Sequence, residues 1–237
     1  MISFLLLGFL IGMKHAMEAD HVAAVASLAT GSRSVRQVVK TGVAWGLGHT
    51  LTLGAVAGAV LVLDIALPER FALIVEFAVG VMVVALGVDV LVRLIRERVH
   101  FHAHRHENGI VHIHAHAHAG EGPHELARHD HEHASGLPLR GFLVGLVHGL
   151  AGSAALLLLT LETIRSTALG LLYVGLFGLG SVLGMAALSV AIALPLRSAA
   201  RGLTWAHNGL KASVGMATIL LGVALIYDIA VARGLLL

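Results

Sequence analysis

Six stretches of this chain, near residues 2–29, 37–65, 70–95, 139–163, 167–195 and 208–232, are apolar over lengths that a water-soluble fold seldom needs. A bilayer core about 30 Å thick takes roughly 20 apolar helical residues to cross. Inside it every backbone polar group must be bonded within the protein, so runs of this length read as helices. The expected fold class is therefore an all-α integral membrane protein with six transmembrane helices. Composition agrees, since 57% of the 237 residues are hydrophobic and only 13% charged, too few charges to clothe a soluble domain. Several runs exceed the minimum, which predicts tilt or extension beyond the bilayer. Gly31-Ser32, Pro68, Pro138 and Pro195 punctuate the junctions. Residues 1–11 lack the basic flank and cleavage site of a signal peptide, so they read as part of span one.

The chain has no cysteine, which excludes disulfides, thiolate metal sites and dithiol redox chemistry. Its basic residues border the apolar runs and read as orientation signals, not as a nucleic-acid surface. The loops around 33–40, 93–140 and 197–211 hold twelve of the sixteen Lys and Arg residues. Arg70, Arg165 and Arg233 fall on the opposite side, and Lys14 lies within span one. The positive-inside rule then predicts a multi-pass protein of the inner cell membrane with those three loops cytoplasmic and both termini outside.

The two halves repeat. Gly8-Phe9-Leu10-Ile11-Gly12-Met13-Lys14-His15 aligns with Gly141-Phe142-Leu143-Val144-Gly145-Leu146-Val147-His148 at an offset of 133. Gly46-Leu47-Gly48 aligns with Gly178-Leu179-Gly180, and Gly80 and Gly87 align with Gly215 and Gly222. Each unit has three spans, an odd number, so the second is expected upside-down relative to the first. Inverted repeats recur among transporters, with the substrate site near the midplane where the repeats meet. The domains predicted are a first three-helix repeat over 1–99, a histidine-rich cytoplasmic loop over 100–137 and a second three-helix repeat over 138–237.

Span one carries Lys14-His15-Ala16-Met17-Glu18-Ala19-Asp20-His21. A charged residue at a bilayer centre costs about 2.5–3.5 kcal/mol on insertion scales, so such groups persist when paired, hydrated or bound to an ion. His15 and His21 offer imidazole nitrogen, while Glu18 and Asp20 offer carboxylate oxygen, a donor set for borderline divalent metals. On an unbroken helix Asp20 lies about 140° from His15, and His21 about 120° from it on the other side. One ion can touch all three only if the backbone unwinds or other helices contribute. His49, between small residues in span two, and His148, the repeat counterpart of His15, are the further candidates. Asp89 is expected to pair with a base at the 93–98 end of span three.

Twelve of the seventeen histidines lie within residues 100–133. Those assigned to metal capture are His102, His104 and His106, then His112, His114, His116 and His118, then His129, His131 and His133. The segment has little apolar content and is expected to lack structure without metal. Alternation would put imidazoles on one side of any extended stretch. Such a loop favours late first-row metals over calcium or magnesium, which prefer oxygen.

The pattern His15-x4-Asp20-His21, followed on the next span by Leu47-Gly48-His49-Thr50, resembles the signature of the nickel/cobalt permease (NiCoT) superfamily. Six spans in place of the usual eight, and His148-Gly-Leu-Ala-Gly-Ser153 in span four, look most similar to its shorter urease-accessory branch. The resemblance implies that His15, Asp20, His21 and His49 are nickel ligands or selectivity residues. The expected activity is secondary transport of Ni²⁺ or Co²⁺, with Zn²⁺ also suited to the donors, in the uptake direction. The alternatives are efflux and a non-transporting membrane metallochaperone that supplies a nickel enzyme. No enzymatic activity and no prosthetic group are expected. The expected partners are the metal ion and membrane lipid, and the reading is compatible with a cytoplasmic nickel chaperone and with a homo-oligomer.

Overall fold

The computed structural model describes residues 2–32, 34–63, 68–96, 99–105, 111–117, 138–150, 166–202 and 204–236. The first apolar run is two helices. α1 (Ile2–His15) stops at Lys14-His15, and α2 (Ala19–Ala29) restarts after a turn whose last residue, Glu18, is extended at φ −65° and ψ 150°. α3 (Val35–Leu63) and α4 (Glu69–Arg96) follow as long apolar helices. After α5 (Leu139–Gly149), α6 (Thr167–Gly202) and α7 (Thr204–Tyr227) are the remaining helices among the described residues, α7 running into a π-helical turn at Asp228–Ala232.

Among the described residues four helical segments, Val35–Leu63, Glu69–Arg96, Thr167–Ser198 and Trp205–Ala232, are long and apolar enough to cross a membrane. α1, α2 and α5 are equally apolar but shorter. The chain is thus helical and of membrane type. The far half of the predicted fourth span, 151–163, lies outside the described residues. Pro195 does not end the fifth span as the sequence predicts; α6 runs through it to Gly202. A proline inside a membrane helix is tolerated because neighbouring helices, hydroxyl side chains and local backbone adjustment re-satisfy the freed groups.

Part of the histidine-rich segment has regular backbone where none was expected without metal. β1 (Val99–Arg105) and β2 (Val111–Ala117) pair antiparallel, with His100 opposite His116, His102 opposite His114 and His104 opposite His112. Residues two apart fall on one strand face, so these positions share a face of the ladder.

α3 packs against α5 and α6, α1 lies along α6, and α4 lies along α7. Lipid gives apolar side chains no reason to associate, so helices there approach through small residues. A Cβ on Gly12 would strike the carbonyl of Phe177, and one on Gly145 would strike that of Trp45. Gly180 lies against the Phe9 carbonyl and Gly48 against that of Phe142. Between α4 and α7, Gly80 meets Gly222 and Gly87 meets Gly215, each glycine of a pair facing its partner's carbonyl.

Ion pairs mark the helix ends. The Asp89 carboxylate lies 3.1 Å from Arg93, as expected, and also 2.5 Å from Arg140, joining α4 to the start of α5. Arg233 reaches Glu76 at 2.6 Å and Asp228 at 3.2 Å.

Candidate metal centre

His15 is the last residue of α1, and the turn after it re-aims the chain so that Asp20 and His21, in the first turn of α2, face back towards it. The His15 and His21 rings stand 4.3 Å apart between centroids. The helix is therefore broken between His15 and Asp20, one of the two ways in which the angular separation of those residues could be overcome. Glycine contacts bring the other helices in. Gly184 of α6 sits against Ala16 and Met13, while Ser181 Oγ donates to the Gly12 carbonyl at 3.2 Å, fixing the end of α1. Gly149, at the end of α5, lies on the His49 backbone of α3. That contact carries His148 inward, and its ring centroid lies 4.2 Å from that of His21.

Four imidazoles from four helices are thus gathered in one place. His15, His21, His49 and His148 expose 4%, 1%, 0% and 1% of their surface. His15 Nε2 is 3.3 Å from His49 Nε2. One nitrogen each from His15, His21 and His49 falls within a 4.8 Å span, and so do His21, His148 and a carboxylate oxygen of Asp20. Nitrogens about 2.0–2.1 Å from a tetrahedral ion stand about 3.3 Å from one another, so the spacing suits nitrogen ligation.

The carboxylates hold the rings. Asp20 Oδ1 accepts from the His21 backbone N–H at 2.9 Å and from His21 Nδ1 at 3.0 Å, and Oδ2 accepts from His148 Nε2 at 3.0 Å. Glu18 pairs with His15 Nδ1 at 3.0 Å. Three buried ring nitrogens, His21 Nε2, His49 Nδ1 and His148 Nδ1, have no hydrogen-bond partner among the described residues. A buried polar atom left unsatisfied costs about 1–3 kcal/mol, and an imidazole lone pair is a donor suited to a late first-row cation.

Of the predicted site residues, His15, Asp20, His21, His49 and His148 come together. Glu18 stays at the rim, half exposed, and touches the group through His15. His102, His104, His112, His114 and His116 occupy strand positions in the ladder. His106, His118, His129, His131 and His133 lie outside the described residues. Two further side chains border the site without having been predicted. Trp45 is fully buried and stacks on His21 with centroids 5.3 Å apart, and Phe177 lies 5.4 Å from His15. Trp45 precedes His49 by one helical turn, a spacing that puts both on the same face of α3.

Over 236 residues the chain is 33% identical to urease accessory protein UreH of Bacillus sp. (strain TB-90), a match that covers 99% of this chain and 95% of the relative. The chain belongs to the UreH family of urease accessory proteins. The urease-accessory part of the resemblance read from the sequence agrees with this family. A protein accessory to an enzyme also agrees with the expectation that this chain is not itself an enzyme. No family model matches the chain, and no solved structure matches it.

Proposed function

We propose that this chain is a six-span secondary permease of the NiCoT superfamily, built as two inverted three-helix repeats, that imports Ni²⁺ or Co²⁺ across the cell membrane. The single observation that carries the reading is the buried imidazole group assembled at a helix break from four helices. A metal-binding group at an interrupted membrane helix is the arrangement transporters use to hold an ion near the midplane. Urease is a nickel enzyme, so membership of a urease-accessory family favours nickel among the metals that these donors suit. The paired glycine contacts support the inverted repeat. Gly12 on Phe177 and Gly145 on Trp45 are the same contact made by corresponding residues of the two halves, as are Gly180 on Phe9 and Gly48 on Phe142.

In this reading the ion enters from outside and sheds water onto His15, His21 and His49, with Asp20 and His148 beside them. Rocking of the repeats then opens the site to the cytoplasm, where loop imidazoles take the ion up. Both termini lie outside and the histidine-rich loop inside. A second reading, a membrane metallochaperone that delivers nickel without moving it across the bilayer, is favoured by the accessory role of the relative. Purified protein reconstituted into vesicles that enclose a nickel-sensitive dye separates the two. External Ni²⁺ should quench the dye in protein-containing vesicles and not in protein-free ones, and the rate should fall to background for a His21→Ala protein. Binding of Ni²⁺ without dye quenching would select the metallochaperone.

A further inference from the structure

We infer that Asp20 is a positioning residue that aims His21 and His148 at the ion, and that the ion itself is held by imidazole nitrogen. The inference rests on the metal reading of the site and assigns the division of labour within it. A carboxylate has only acceptors, and a neutral imidazole has one donor nitrogen and one lone-pair nitrogen. Each oxygen of Asp20 already accepts from an imidazole ring. Oδ1 lies 3.0 Å from His21 Nδ1 and Oδ2 lies 3.0 Å from His148 Nε2, so each ring spends its one N–H on Asp20. The remaining nitrogens, His21 Nε2 and His148 Nδ1, must then carry lone pairs, and these are the buried atoms without a hydrogen-bond partner.

The tautomer of a ligating histidine is set by the bond its other nitrogen makes. A carboxylate behind the ring also raises its basicity. One aspartate does this for two rings on two helices, α2 and α5. Glu18 does the same for His15, whose Nδ1 it holds at 3.0 Å while Nε2 faces His49. Burial agrees with the assignment, since a quarter of the Asp20 side chain is exposed while His21 and His148 are enclosed. A shell of neutral nitrogen donors disfavours Mg²⁺ and Ca²⁺, which need oxygen, and favours late first-row metals. Specificity against the abundant hard cations would then reside in the rings, and Asp20 would supply their orientation and half of the charge balance.

Full-length protein in detergent titrated with Co²⁺ tests this, because the visible absorption bands of Co²⁺ report its ligands. Subtracting the spectrum of a His15→Ala/His21→Ala/His49→Ala protein, which retains the loop histidines, isolates the core site. Asp20→Asn keeps an acceptor oxygen and should leave the band positions unchanged at saturation while weakening Co²⁺ binding about 10- to 100-fold. Asp20→Glu, which keeps the carboxylate, should recover part of that affinity with the same bands. His21→Ala should shift the bands at saturation, and X-ray absorption should show one imidazole fewer. Bands displaced by both Asp20 variants at saturation would make Asp20 a ligand and overturn the inference alone. A wild-type protein with no core difference spectrum would overturn the metal reading itself, and this inference with it.

Discussion

Glu18 and His15 show how much a residue's role depends on where its polar atoms end up. From the sequence, Glu18 stands among four ionisable groups in one apolar stretch, where it could join the ligands or merely neutralise Lys14. In the fold its carboxylate sits half in the open and takes the Nδ1 side of His15, while the other nitrogen of that ring faces His49. Glu18→Gln keeps an acceptor for His15, so uptake at limiting metal should stay within about tenfold of wild type, the mild end of what loss of a ligand's carboxylate partner costs. His15→Ala removes a nitrogen donor and should abolish uptake at the same membrane abundance. Initial rates with radiolabelled Ni²⁺ would check both, and equal loss in the two proteins would return Glu18 to the ligand set. The gathering of His15, Asp20 and His21 was legible in sequence because burying those groups unpaired is costly, and their angles on a helix called for either a break or ligands from other helices. The role of Asp20 was not legible, since it depends on which nitrogen of each ring meets which oxygen. Trp45 was passed over because an apolar aromatic among apolar neighbours carries no signal except its one-turn spacing from His49.

At the level of elements, the site depends on helices meeting backbone to backbone. α5 can carry His148 to His21 only because Gly141, Gly145 and Gly149 present no side chain to α3. Gly145→Leu would drive a side chain into the Trp45 carbonyl and ring, and overpacking of this kind typically costs about 1–3 kcal/mol. The purified protein should lose thermal stability and Ni²⁺ binding together. Gly175→Leu, at a position with none of the described residues within 4 Å, should leave both unchanged, and a Gly145→Leu protein as stable and competent as wild type would deny the seam its role. The glycine spacing made close helix contacts readable in advance, though not which helix each glycine faces. The ladder at β1 and β2 was missed although its marks are present. Histidines alternate with apolar or small residues on both sides of Asn108-Gly109, a dipeptide favoured in tight hairpin turns. Low apolar content outweighed that alternation. Pro195 misled in the opposite sense, because a rule learned from soluble helices overstates how often proline stops a helix in lipid.

On the scale of the whole molecule, the proposed permease divides into a helical body that holds the site and a histidine-rich segment joined to it between Arg96 and Leu139. The Asp89 carboxylate, gripped by Arg93 and Arg140, ties together the two helix ends from which that segment departs. Deleting residues 102–133 should therefore leave the body folded. If the segment concentrates ions, its loss should lower uptake at scarce metal and matter little at saturation. Free imidazole titrates near pH 6.5 and must be neutral to bind metal, so the segment's contribution should be present above that pH and fade below about 6. Initial rate against free metal, for both proteins at two pH values, checks this, and failure at every concentration would make the segment part of the gate. The α4–α7 contact has a consequence of a different kind. Where Gly80 meets Gly222, Gly87 meets Gly215, and in the proposed repeat those are one contact written twice. A surface that satisfies itself when turned over is what an isologous dimer requires. If the halves are the inverted repeats proposed, a single three-helix unit would already carry this self-complementary contact, and the covalent link between the halves would add proximity to it.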